Sequence, residues 1–156
     1  MNPMYKKTGV FLVLLFSFSC SCKKTTPLGP SPVPYVYVNT QIQTSLPEYT
    51  ALNNGGGYVY IPGGNKGIIV LQDFTGVFWA FDRTCPYHVT SPCGQIVMGT
   101  LKLACGHYAG AKFDSCCAST YGFDGTVTHG PSTYPLKAYR VTATGTPPDV
   151  MLTITN

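Results

Sequence analysis

The sequence predicts an all-β domain, a sandwich or barrel of antiparallel strands. The composition is rich in Gly (17), Pro (13) and Tyr (11), while charged residues make up only 10%, which favours strands joined by tight turns. Short apolar or alternating runs recur along the chain, separated by turn residues. Helical periodicity is missing beyond the first 22 residues. We therefore expect one domain of about nine or ten short strands with almost no helix.

Residues 1–22 have the pattern of an export signal. A basic pair precedes an apolar run at positions 10–16, which is too short to span a bilayer as a helix. Serine then precedes both Cys20 and Cys22, as in the lipobox of a bacterial lipoprotein, where the cysteine becomes the lipidated first residue. We expect lipidation at Cys22 or Cys20, with Cys22 favoured; a simple signal peptide is the alternative. Either way the chain is exported, so disulfides are permitted.

A Pro-rich tether is expected between this signal and the domain. Residues 23–34 contain four prolines and no apolar periodicity, which is typical of an extended spacer. At Tyr35 the sequence begins to alternate, with Val36 and Val38 on one face of a first strand. The β domain is therefore assigned to residues 35–156, and the mature protein is expected to sit at the bacterial cell envelope, bound to the membrane through its lipid.

The later strands follow from apolar runs bounded by turns. A hairpin is expected around the turn that begins at Pro62, and another around Gly99 and Thr100. The predicted strands are residues 58–61, 67–71, 76–82, 95–98, 101–104, 123–127, 136–141 and 150–154.

Five of the seven cysteines and all three histidines lie between residues 85 and 131. Thiolate and imidazole are the side chains that best bind zinc, copper and iron–sulfur clusters. Cys85 and His88 follow one predicted strand, and Cys105 and His107 follow another, so each pair is expected at a hairpin tip. Two adjacent tips can hold a 2Fe–2S cluster, with two thiolates on one iron and two imidazoles on the other.

Disulfides are the competing explanation for the same cysteines. In an exported chain, Cys85, Cys93, Cys105, Cys116 and Cys117 could form two disulfides and leave one thiol. Zinc on two cysteines and two histidines is a further possibility. His129 precedes a Gly-Pro turn and is expected at the surface. The residues alone leave the disulfides and the metal centre open.

Three stretches of the chain resemble the Rieske iron–sulfur domain, and more closely the Rieske-like lipoproteins of Bacteroidetes-type bacteria. The similarity covers roughly residues 58–141, and its stretches are Gly63–Val70, Phe78–Tyr87 and Phe123–Pro131 followed by Pro135–Tyr139. The resemblance implies a Rieske-like β sandwich with two metal-loop hairpins, a 2Fe–2S cluster on Cys85, His88, Cys105 and His107, and single-electron transfer to a redox partner protein. It further implies that the Gly130-Pro131 loop covers the cluster.

The ligand spacing departs from the family pattern of Cys-x-His in the first loop and Cys-x-x-His in the second. Tyr87 stands where the first histidine belongs, and Cys105-Gly106-His107 is one residue short. A rival alignment places Asp114 and Cys117 at the second pair of ligand positions, which resembles relatives that have lost the cluster. Cys93 and either Cys116 or Cys117 would then form the disulfide that links the two loops in some Rieske domains.

Two functional hypotheses follow. The first is a lipid-anchored electron-transfer protein with a Rieske-type 2Fe–2S cluster. The second is a cluster-free, disulfide-stabilised relative that serves as a binding or accessory protein. The sequence shows neither a catalytic triad order nor a phosphate-binding glycine loop, so an enzyme is not expected. Removing Lys6 and Lys7 lowers the net charge from +4 to +2, which gives no electrostatic footprint for nucleic acid.

Overall fold

The computed structural model describes residues 29–156. The predicted export signal, with Cys20 and Cys22, and the tether up to residue 28 lie outside the described residues. The described chain forms ten β-strands in two antiparallel sheets, which confirms the predicted all-β fold class. The strands are β1 (Asn39–Gln43), β2 (Tyr58–Ile61), β3 (Ile68–Gln72), β4 (Phe78–Asp82), β5 (Ile96–Met98), β6 (Leu103–Ala109), β7 (Lys112–Tyr121), β8 (Val127–His129), β9 (Ala138–Thr146) and β10 (Asp149–Thr155).

The larger sheet has six strands in the order β1-β10-β9-β4-β3-β2. Its central pair is β9 and β4. β4 also forms a hairpin with β3, in which Val70 pairs with Ala80 and Ile69 with Phe81. The first four residues of β3 are all buried, as expected for a strand covered on both faces. A turn joins the two strands. Asp73 stabilises it by accepting hydrogen bonds from the backbone N–H groups of Thr75 and Val77.

The smaller sheet has four strands in the order β5-β6-β7-β8. The chain enters it directly from β4, through the loop of residues 83–95. We call this segment the first loop. Thr84 and Gln95 form an isolated antiparallel bridge across its base, so both ends of the first loop are tied to the sheets.

The first strand begins later than predicted. β1 begins at Asn39, not at Tyr35. Val38 is nevertheless buried, and so is Val33 within the predicted tether. Lys137 donates a hydrogen bond from Nζ to the carbonyl of Pro34. The end of the predicted tether therefore packs on the domain, because two valines and a lysine contact are enough to hold an extended segment without strand pairing.

Three local features were not foreseen. β7 is the longest strand, but its exposed half is polar and lacks the apolar run from which strands were predicted. Residues 47–53 form a short 3-10 helix with proline near its start. The β5–β6 connection runs from Gly99, whose N–H donates to the carbonyl of Lys102, and is longer than two residues. Among residues 29–156, no helix is long and apolar enough to cross a membrane.

Two apolar clusters form the core. One lies within the large sheet and includes Val70, Leu152 and Ile154. The second joins the large sheet to the small one, and contains Phe81, Leu103 and Leu136 together with two cysteines and a tyrosine, Cys85, Cys105 and Tyr121. Cys85, Cys105 and Tyr121 are therefore part of the second core and do not lie on the surface.

Candidate metal centre

The first loop presents Cys85 from a tightly bonded backbone. The N–H of Cys85 donates to the carbonyl of Gly94 at 3.1 Å, and the N–H of His88 donates back to the carbonyl of Cys85 at 3.0 Å. Gly94 lies so close to the backbone of His88 that a Cβ at this position would collide with its carbonyl oxygen. Glycine is therefore needed for the loop to close over Cys85.

A buried carboxylate fixes the entry to this loop. Asp82, the last residue of β4, has no exposed surface. Its Oδ1 accepts hydrogen bonds from the N–H and the hydroxyl of Thr84, while its Oδ2 accepts from the N–H of Asn65 and from Tyr139 Oη. Burial, followed by the hydrogen bond to this carboxylate, raises the pKa of the Tyr139 hydroxyl. Four donors thus hold the residue that leads into Thr84 and Cys85.

The second part of the site is an irregularity between β6 and β7. Ala104 pairs with Thr120, but Gly106 pairs with Ser115. Residues 116–119 therefore face the single residue Cys105 and leave the regular ladder. This excursion brings the two adjacent cysteines of β7, Cys116 and Cys117, to the first loop.

Cys116 is covalently joined to the first loop. It forms a disulfide with Cys93, and the two Cα atoms are 5.5 Å apart. Ser91 lies beside this bond, with its hydroxyl 3.1 Å from Cys93 Sγ. The resemblance implied a bond from Cys93 to either Cys116 or Cys117, and the structure forms it with Cys116. The disulfide leaves Cys117 free to contact other residues.

The three remaining domain cysteines converge. Cys85, Cys105 and Cys117 are free thiols, and their Sγ atoms all lie within 4.8 Å of one another. Cys85 and Cys117 are 3.9 Å apart at sulfur. Cys85 and Cys105 are fully buried, while Cys117 is half-buried. We call these three residues the sulfur triad.

The surroundings of the triad favour a thiolate at Cys85. Hydrogen bonding from the thiol of Cys105 lowers the pKa of Cys85, and the backbone N–H groups of Tyr87 and His88 lower it further against the opposing effect of burial. The same hydrogen bond, together with burial, raises the pKa of Cys105. The two pKa shifts are opposite in direction, so Cys85 is the more acidic thiol of the pair.

A buried tyrosine lies on the other side of the triad. Tyr121 Oη is 3.9 Å from Cys85 Sγ, and burial raises the pKa of Tyr121. Close to it, Ser119 accepts a hydrogen bond from the N–H of Ser132 at 3.1 Å. Gly130 packs so tightly on the backbone of Ala118 that no side chain would fit. The Gly130-Pro131 loop therefore lies against the excursion of β7.

The histidines are placed differently from the cysteines. Within residues 29–156, neither His88 nor His107 belongs to the group of converging ligand atoms. The ring of His88 packs edge-on against that of Tyr87, with centroids 4.8 Å apart. His107 lies within β6, paired with Asp114, and its Nδ1 is buried without a hydrogen-bond partner. His129 is exposed at the end of β8.

These positions can be compared with a 2Fe–2S cluster, which takes two imidazoles on one iron and two thiolates on the other. Cys85 and Cys105 lie together as such a thiolate pair would. A third sulfur, that of Cys117, joins this pair, whereas His88 and His107 are not members of the converging group. Cys105 and His107 are also inside a strand and not at a hairpin tip. The converging donor set is thus three sulfurs, which differs from the two-cysteine, two-histidine set of that cluster.

Two residues of the site carried weak sequence signals. Cys117 was only an alternative ligand, because nothing in the sequence indicates that β7 leaves its ladder there. Tyr121 was not predicted as a site residue. It is the last residue of β7 and lies in the second core. The useful signal was the Cys-Cys pair itself, since adjacent residues on a strand point to opposite faces and can serve two partners.

Comparison with known proteins adds no assignment. No protein-family model matches the chain, and no curated protein is significantly similar to it.

Proposed function

We propose that this chain is an exported, lipid-anchored accessory protein of the bacterial cell envelope. Its Rieske-like β domain would act without a two-cysteine, two-histidine 2Fe–2S cluster. The observation that carries this proposal is the separation of the ligand types: the sulfurs of Cys85, Cys105 and Cys117 converge, whereas the imidazoles of His88 and His107 stay outside the group.

The disulfide supports the proposed location. Structural disulfides persist in oxidising compartments such as the periplasm and the cell surface, and Cys93–Cys116 ties the first loop to β7. Three further parts of the proposal rest on the sequence. They are a lipid anchor at Cys22 or Cys20, association with the membrane, and a partner that is not nucleic acid. The protein would bind or position a partner at the envelope and would catalyse no reaction.

Iron and acid-labile sulfide analysis tests the proposal. A chain beginning at Lys23 is expressed in cells with iron–sulfur assembly active, purified anaerobically and analysed together with its visible spectrum. We expect a colourless protein with no labile sulfide. Two irons and two sulfides per chain would overturn the proposal and favour the single-electron carrier, with a redox partner, that the family resemblance implies.

A further inference from the structure

The sulfur triad has the dimensions of a site for one metal ion. Its three Sγ atoms lie within 4.8 Å of one another, with 3.9 Å between Cys85 and Cys117. A metal–sulfur bond of about 2.3 Å places two ligands of one tetrahedral ion about 3.8 Å apart, and two ligands of a trigonal ion about 4.0 Å apart. The Cys85–Cys117 distance therefore matches two ligands of a single ion, and the other two sulfur pairs lie within 4.8 Å.

We propose that Cys85, Cys105 and Cys117 bind one thiophilic metal ion, Zn²⁺ or Cu⁺, through their three sulfurs. Soft thiolate ligands select these ions over the hard cations Mg²⁺ and Ca²⁺, which take oxygen ligands. In the part of the chain that the structure describes, the converging group contains no carboxylate and no imidazole. The donor set is thus purely sulfur.

The protein around the triad is built to hold charged sulfur away from water. Cys85 and Cys105 belong to the second apolar core, beside Phe81 and Leu136. Tyr121 Oη lies 3.9 Å from Cys85 Sγ. Cys117 alone is partly exposed, so it marks the side from which an ion can enter.

The binding step balances without a redox partner. Each metal–sulfur bond forms to a thiolate, and each sulfur that still carries a proton releases it to solvent. No electron is transferred. The disulfide between Cys93 and Cys116 takes no part as a ligand, but it holds β7 against the first loop and so keeps Cys117 near Cys85.

Anaerobic metal titration tests the inference. The metal-free chain beginning at Lys23 is titrated with Zn²⁺ and, separately, with Cu⁺, against competing chelators. We expect saturation at one ion per chain, an ultraviolet thiolate-to-metal band, and protection of three thiols from alkylation. Comparison of the two titrations decides which ion is preferred. Failure of the folded chain to bind either ion would overturn the inference.

Matched variants locate the ion. Cys117→Ser changes one atom at the partly exposed ligand, and we expect it to weaken binding by at least about 100-fold. His107→Ala, on the neighbouring strand, should leave affinity within about threefold because its imidazole lies outside the triad. The circular dichroism of each metal-free variant shows whether it is folded. Binding that survives Cys117→Ser but is lost in His107→Ala would contradict the triad.

The outcomes separate this inference from the proposed function. A chain without labile sulfide that also binds no ion would leave the cluster-free accessory protein standing and remove the metal site. A second disulfide within the triad, found by mass mapping of protein isolated from its envelope, would also overturn the metal site. Two irons and two sulfides would overturn both.

Discussion

At the residue scale, Asp82 holds together the segments that lead into the first loop. It is a fully buried carboxylate with four hydrogen-bond donors. Asp82→Ala removes the acceptor and leaves the buried donors unsatisfied, so we expect a loss of about 2–4 kcal/mol in unfolding free energy. Urea unfolding measures it. Tyr139→Phe, which removes only one of the four bonds, should cost about 1–2 kcal/mol. A loss in Asp82→Ala no larger than that in Tyr139→Phe would contradict this role.

Asp73 gives a pH-dependent prediction. A hydrogen bond from the indole N–H of Trp79, at 2.9 Å, is the main cause that lowers its pKa from 3.8 to about 2. Because the pKa is lowered, the stability contributed by ionised Asp73 is fully present above the ordinary pKa of 3.8 and is lost as the pH falls through about 2. Trp79 is the only tryptophan, so its fluorescence should report the loss.

The matched variant is Asp73→Asn, which keeps the shape but removes the charge. We expect the urea midpoint of the wild type to decrease between pH 4 and pH 2 by more than that of the variant. Parallel pH profiles in the two proteins would show that the hydrogen bonds of Asp73 do not depend on its ionisation.

Single residues of the site were predicted unevenly from the sequence. Cys85 and Cys105 were expected to lie together, and the structure brings them together. His88 and His107 were expected with them because imidazole is a good metal ligand. The residue type alone, however, does not indicate where the side chain points. The side-chain direction of His107 depends on the register of β6 against β7, which is set by pairing between distant residues.

At the scale of elements, the disulfide secures the first loop to β7. Cys93 and Cys116 are 23 residues apart in sequence. Replacing both by serine restores the loop entropy of the unfolded chain, so we expect a loss of about 3 kcal/mol. Thermal and urea unfolding under non-reducing conditions measure the effect. Unchanged stability would contradict a structural role for this bond.

Closure of the first loop gives a second prediction at this scale. In Gly94→Ala the new Cβ would collide with the carbonyl of His88, so we expect destabilisation of about 2–4 kcal/mol and a Cys85 thiol that becomes accessible to alkylation. Gly99→Ala, where the nearest atom is 3.3 Å from the new Cβ, should cost less and leave Cys85 protected. Equal reactivity of Cys85 in both variants would contradict the role of Gly94.

Most strands were predictable because their apolar runs meet a buried surface. Residues 58–61 and 150–154 were predicted as strands and lie within β2 and β10. β7 was missed because its first four residues are exposed and three of them are polar, so pairing with β6 and not burial determines its conformation. β1 begins later than expected because Val38 is buried by packing without strand pairing.

At the scale of the whole molecule, the two sheets meet at the second core, which contains Cys85 and Cys105 and has Cys117 packed against it. The all-β class followed from composition and turn spacing, since both are properties of the chain as a whole. The order β1-β10-β9-β4-β3-β2 did not follow, because β1 and β10 pair across more than 100 residues, as in Thr40 with Ile154. The way in which the two sheets meet at the second core therefore could not be predicted from the sequence.

Native mass spectrometry of the intact, anaerobically purified chain tests the central claim most directly. One spectrum reports the number of disulfides and the bound mass together. We expect the mass of a chain with one disulfide plus one zinc or copper ion, and loss of that ion in Cys117→Ser. A mass that includes two irons and two sulfides, or a second disulfide with no metal, would contradict the account.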